Sequence, residues 1–176
     1  MSGWHTTLDS WSKSCNTIVS ASWSASPGSV AEGTYEYDDP DITETGDGAT
    51  VLGARIVLLL AGSLRGVEGV DVLESPGRYF INNFWTAANV KAYGYIRGAY
   101  RIKPLTLAGE EYKYLDPSKE IVTYCWTGLT SSVVTAYLYV LGYNSFSIQN
   151  GANSMIYDDL ISHRWNAKKI ADLPLE

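Results

Sequence analysis

A chain of 176 residues with 45% hydrophobic content is long enough to bury a substantial core, and its length favours a single folding unit. Thirteen Lys and Arg against nineteen Asp and Glu leave a formal charge of −6 with no basic stripe, which argues against a nucleic-acid binder. Two cysteines, Cys15 and Cys125, imply no disulfide framework, and the longest apolar run, Ile56 to Ala61, falls far short of the roughly 20 residues that cross a bilayer.

Residues 1–33 are rich in Ser and Trp, and Met1 to His5 lacks the charged and apolar regions of a signal peptide. Trp4, Trp11, Ile18, Val19 and Trp23 are too apolar for a free tail, so residues 1–50 are expected to dock as an extension on a domain of residues 51–176. Thr17 to Trp23 alternates loosely and predicts one strand, bounded by Ser26-Pro27-Gly28. Tyr35 to Asp41, closed by Gly46-Asp47-Gly48, reads as an acidic solvated loop. Its carboxylates do not have the spacing of an EF-hand calcium loop.

An apolar-rich helix is predicted over Ala49 to Leu64, packed on one face of a sheet. Gly66 to Leu73 predicts a short edge strand and a helical turn, stopped by Ser75-Pro76-Gly77. Tyr79 to Phe84 reads as a central strand, Ala87 to Tyr93 as a short helix, and Ala99 to Ile102 as another strand. Pro104 to Pro117 is a long connection with a helical turn around Glu110 and Glu111, Gly151 to Ile161 a final helix, and Ser162 to Glu176 a tail. Alternating strands and helices predict a parallel sheet with right-handed crossovers.

The chain is organised around Glu120 to Gly142. Ile121 to Tyr124 is β-branched or aromatic and predicts a buried strand. Apolar residues at helical spacing follow, Val133, Ala136, Tyr137 and Val140 with Val134, Leu138 and Leu141, giving a helix apolar nearly all round that Gly142 ends. Between them lies a turn, Cys125 to Thr130. Cys125 thus stands at the C-terminal end of a strand and below a helix N-terminus, where α/β sheets place ligands and where free N–H groups stabilise an anion such as a thiolate. Gly128 lets the turn close, and Thr130, Ser131 and Ser132 offer hydroxyls for capping or for bound oxygens.

Cys-Trp-Thr-Gly-Leu-Thr-Ser (Cys125 to Ser131) resembles the active-site loop of the rhodanese-like sulfurtransferases, a cysteine followed by a short loop with glycine at its fourth position. Leu141 to Asn153 is similar to that family's strand and glycine turn after the active-site helix, and Tyr93 to Ala99 to its Gly-His-Ile-Pro-Gly-Ala motif. The chain departs from the family at Tyr95 for histidine, Arg97 for proline and Asn83 for aspartate; the likeness spans roughly residues 66–162.

The resemblance implies an α/β, three-layer rhodanese-like domain, with a mainly parallel five-stranded central sheet flanked by helices and an N-terminal extension. It implies transfer of a sulfane sulfur from thiosulfate or a persulfide to a thiol or cyanide through a Cys125 persulfide. Cys125 is then catalytic, and Trp126, Thr127, Gly128, Leu129, Thr130 and Ser131 form the substrate-binding loop. No cofactor, metal or nucleic-acid partner is implied, and the expected state is a monomer. An exported bacterial protein with its leader removed and a cytoplasmic one both stay open. Two other readings of the same residues stay open too. A non-catalytic rhodanese-like interaction module would use the uncharged loop and the many tyrosines as a binding surface. A cysteine phosphatase would need an arginine six residues after the cysteine, where Ser131 stands. Only His5 and His163 could serve as an imidazole base; neither lies in a motif, and His163 reads as a surface residue. Cys15 reads as a plain residue rather than a resolving thiol.

Overall fold

The computed structural model describes residues 12–25 and 30–166. Its frame is a parallel four-stranded sheet in the order β2-β6-β5-β3, with β2 Gly66–Val67, β3 Tyr79–Asn83, β5 Glu120–Tyr124 and β6 Ser145–Ile148. A separate antiparallel pair joins β1, Trp23–Ser24, to β4, Tyr95–Ile96. The helices are α1 Gly48–Ala61, α2 Gly69–Glu74, α3 Ala87–Tyr93 and α4 Leu129–Val140. The chain is therefore α/β, with a parallel sheet flanked by helices.

Side-chain alternation along β5 splits the core in two. Ile121 on one face packs with Phe80, Val134, Leu138 and Tyr143 beneath α4. Val122 and Tyr124 on the other face pack with Ile81, Val72 and Leu73 of α2, and Val90 of α3. The two inner strands β5 and β6 are buried almost throughout, as the near-continuous apolar and small residues of a covered parallel sheet require.

Local signals set several boundaries. Thr86 caps α3 by accepting from Asn89 N, and Asp47 caps α1 by accepting from Thr50 N at 2.8 Å. Gly142, at φ +106°, closes α4 with paired bonds from Gly142 N to Tyr139 O and from Tyr143 N to Leu138 O. That pairing takes up two of the orphan carbonyls at the helix end, and Tyr143 and Leu138 share one core cluster.

Other expectations are corrected. Among the described residues the parallel sheet has four strands rather than five. In place of a strand over 99–102, Tyr100 alone bridges the β3 edge, with Tyr100 N to Ile81 O at 2.8 Å and Asn83 N to Tyr100 O at 2.7 Å. Next along the chain, Arg101 donates its N–H to Ala31 O instead, so the ladder ends. The β3 strand thus lies at the end of the four-strand order, although it is wholly buried. The α1 helix packs on α4 rather than on the sheet, because α4 already covers that face. Arg55 of α1 reaches the Tyr139 carbonyl and pairs with Glu44 at 3.3 Å, and no α1 residue is fully buried. The α4 helix is likewise one-sided, burying Ser131, Val134, Thr135 and Leu138 while Val133 stays exposed.

The final helix over 151–161 is replaced by two short 3₁₀ turns, Gly151–Ser154 and Tyr157–Asp159. Residues 155–157 are drawn into pairing with the N-terminal segment. Ile18 N donates to Met155 O at 2.7 Å, Tyr157 N donates to Asn16 O at 3.1 Å, and Thr17 bridges Ile156. That pairing uses backbone groups a continuous helix would need.

In place of a continuous strand over 17–23, the N-terminal segment makes a single bridge at Thr17 and the short strand Trp23–Ser24. Its contacts explain one departure noted above. Arg97 donates its N–H to Ser22 O at 2.7 Å and its Nε to Ala21 O at 2.9 Å, and a proline at 97 could make neither bond. Among the described residues no helix is long and apolar enough to cross a membrane.

Candidate active site

The β5 strand delivers Cys125 to the C-terminal edge of the sheet, and the chain turns at once into α4. The helix begins earlier than its sequence suggests, at Leu129, because Gly128 takes the N-cap with φ +83°. A side chain other than glycine would be strained there. Gly128 offers no side-chain oxygen to the first turn, and the thiol takes that place. Ser131 N lies 3.4 Å from Cys125 Sγ, in the position where an N-cap oxygen would accept from the third helical residue. Ser131 Oγ is also 3.4 Å from Sγ.

Behind this contact Ser131 Oγ lies 2.7 Å from Ser147 Oγ of β6 and 3.2 Å from Gly128 O, and both serines are fully buried. The other hydroxyls do not converge. Ser132 Oγ donates to Leu129 O at 2.7 Å, and Leu129 and Thr130 sit on the exposed first turn. The sulfur and the Gly128 turn, rather than the hydroxyls of Thr130, Ser131 and Ser132, terminate the helix.

The Gly151–Ser154 turn backs the loop. Ala152 N donates to Cys125 O at 2.9 Å, while Asn153 donates to Trp126 O through its backbone N at 3.2 Å and its Nδ2 at 2.7 Å. Gly151, at φ +55°, packs so closely that an added Cβ would lie 2.9 Å from Gly128 N. Asn153 also gathers the C-terminal segment, with Nδ2 donating to His163 O at 3.1 Å and Oδ1 accepting from Trp165 N at 2.7 Å.

Trp126 points into an aromatic stack. Its ring lies 4.1 Å from that of buried Trp85 and 4.6 Å from that of His163, with Tyr93 edge-on at 5.1 Å. The indole covers the loop from the α3 side. His163 is exposed, yet it is stacked on the loop, a contact the sequence did not indicate. Ser147, Gly151 and Asn153 were also missed as candidate site residues, although the glycine turn after α4 pointed to the right stretch.

The thiol lies within a long uncharged stretch of chain. From Ile121 through Tyr157 the chain carries no Asp, Glu, Lys, Arg or His. Tyr124 faces the opposite side of the sheet, where burial pushes its phenol up. Among the described residues no group of three or more His, Cys, Asp or Glu side chains could hold a metal ion, and both cysteines are free thiols. Burial pushes the Cys15 thiol up to about 11. A negative charge on Cys125 would be met by the Ser131 N–H and hydroxyl at the start of α4, dipoles that stabilise an anion without a counter-ion.

No protein-family model matches the chain, and no curated protein matches it significantly. Among solved structures it is similar to a rhodanese-related protein from Thermoplasma volcanium, at 22% identity and a TM-score of 0.44, over 53% of this chain and 92% of that one.

Proposed function

We propose that the chain is a rhodanese-like sulfurtransferase with Cys125 as its nucleophile. The observation that carries this reading is the thiol held 3.4 Å from both Ser131 N and Ser131 Oγ at the start of α4, within a stretch free of charged side chains. In the proposed reaction the Cys125 thiolate attacks the outer sulfur of thiosulfate or of a small persulfide. The donor's S–S bond breaks and sulfite or a thiolate leaves with the electron pair, while Cys125 becomes a persulfide. An acceptor, cyanide or a thiol, then attacks the terminal sulfur; thiocyanate or a new persulfide departs and the Cys125 thiolate returns. The sulfur moves between nucleophiles with no external oxidant or reductant, as covalent catalysis in two steps.

Backbone N–H groups of the loop from Trp126 to Ser131 would hold the terminal sulfur. With no cation in the loop, thiosulfate should bind weakly and a monoanionic persulfide better. Cys125 is only 4% exposed, which suits the narrow end of a small donor. The test is intact-protein mass spectrometry after thiosulfate treatment. A single added sulfur in the wild type that is lost in Cys125→Ser supports the reading, and a Cys125→Ser protein with wild-type turnover to thiocyanate sinks it. Hydrolysis of an aryl phosphate should be undetectable, because Ser131 stands where a phosphatase holds arginine. Phosphate release that vanishes in Cys125→Ser would identify a phosphatase instead.

One observation favours a second reading, the protein-interaction module. Leu52, Val57 and Leu60 of α1 are 50%, 64% and 77% exposed. A module of that kind would show no sulfur adduct at all.

A further inference from the structure

We propose that Ser131 is itself a catalytic residue, the hydroxyl that takes up the negative charge on Cys125 Sγ, and that Ser147 is the positioning residue that aims it. The proposal rests on the reading of Cys125 as the reacting thiol and goes beyond a binding role for Ser131.

Ser131 Oγ has one hydrogen and three neighbours: Gly128 O at 3.2 Å, Ser147 Oγ at 2.7 Å and Cys125 Sγ at 3.4 Å. Ser147 Oγ has two, Ser131 Oγ and, at 3.4 Å, Ile148 O. With the Ser131 hydroxyl donating to Gly128 O, its one hydrogen is used, and the 2.7 Å contact is made by the Ser147 hydroxyl donating to Ser131 Oγ. While Cys125 is a thiol, the Ser131 hydrogen goes to Gly128 O and the S–H can donate to Ser131 Oγ. When Cys125 loses its proton, the Ser131 hydroxyl rotates from Gly128 O to Sγ, alongside the Ser131 N–H. Gly128 O is not orphaned, because Ser132 N donates to it at 2.9 Å. The change needs a hydroxyl rotation and no movement of heavy atoms. A hydrogen bond already received from Ser147 polarises the Ser131 hydroxyl and strengthens its donation.

Among the described residues the adjoining elements offer no ionic substitute. The only charged side chain in β5, α4, β6 and Gly151–Ser154 is Glu120, at the start of β5 and paired with Arg78 at 3.2 Å. Tyr124 faces the other side of the sheet. His163 and Tyr93 meet the Trp126 ring, and Arg55 is committed to Tyr139 O and Glu44 near the far end of α4.

The experiment follows the ionisation of Cys125 in a Cys15→Ser background, by thiolate ultraviolet absorbance and by the pH dependence of alkylation. Ser131→Ala should move the midpoint upward by about one to two pH units, the scale of a lost hydrogen bond to a charged group. Ser147→Ala should move it the same way by less. Ser132→Ala, which removes a neighbouring hydroxyl bonded to Leu129 O, should leave it in place. An unchanged midpoint in Ser131→Ala, or an equal rise in Ser132→Ala, overturns the proposal. Should Ser131→Ala fail to fold, an unmoved midpoint in Ser147→Ala does the same. The midpoint is read without any sulfur donor, so a wild type that takes no sulfur from thiosulfate yet shows these shifts defeats the sulfurtransferase reading alone. A wild type that turns over while Ser131→Ala keeps its midpoint defeats this proposal alone.

Discussion

Gly151→Ala tests whether the turn behind the loop holds the thiol in place. Gly151 sits at φ +55°, and a non-glycine residue in the left-handed region costs about 1–2 kcal/mol. The added Cβ would lie 2.9 Å from Gly128 N and 3.0 Å from the Cys125 carbonyl carbon, and would press on the Cys125 carbonyl oxygen. Relaxing those contacts to ordinary separations moves the loop by about 0.5–1 Å. The Ala152 N to Cys125 O bond, 2.9 Å long, would be stretched, forfeiting about 0.5–1.5 kcal/mol. Together these come to about 1.5–3.5 kcal/mol, or a fall in Tm of about 3–14 °C for a chain of this size. A misplacement of about 1 Å at a reacting group can reduce turnover about 100-fold, so sulfur transfer should fall far more than the fraction folded. Thermal unfolding by circular dichroism and thiosulfate–cyanide turnover on the same preparation read both effects. If the variant melts like wild type and turns over at the wild-type rate, the turn does not hold the loop and the reasoning fails.

Trp85, 1% exposed and stacked on Trp126, should cost about 3–5 kcal/mol when replaced by Ala; a denaturant midpoint unchanged from wild type would show that the aromatic stack contributes nothing. Burial raises the Cys15 thiol to about 11, so the folded protein keeps that proton after the unfolded chain has lost it. Its contribution is complete below the ordinary thiol range and is lost as pH rises from about 9 to about 11. Stability should therefore decline in that window and decline less steeply in Cys15→Ser, while sulfur transfer is unaffected; an unchanged alkaline slope, or loss of repeated turnover, would contradict this.

What the sequence determined by itself was local. The run from Ile121 to Tyr124, the turn at Gly128 and the helix ended by Gly142 are written in β-branching, glycine placement and helical spacing, all of which act within a few residues. Thr86 and Gly94 mark the ends of Ala87–Tyr93 in the same way. Those elements suffice to put Cys125 below a helix N-terminus.

Tertiary structure alone decided which groups meet there. Ser147 reaches Ser131 because β6 pairs beside β5, and pairing order depends on non-local hydrogen bonds that no single segment encodes. The stretch after β6 has helical spacing, yet Ile18 and Asn16 claim the backbone of Met155 and Tyr157, so long-range pairing outweighed propensity. That break leaves Gly151 to Asn153 as the turn backing the cysteine loop and lets Asn153 bring His163 onto Trp126. The apolar run of α1 reads as a buried helix, but α4 already covers the sheet face, and the layer that remained was the outside of α4. Burial is shared between elements, and the order in which they cover the sheet is a property of the whole fold.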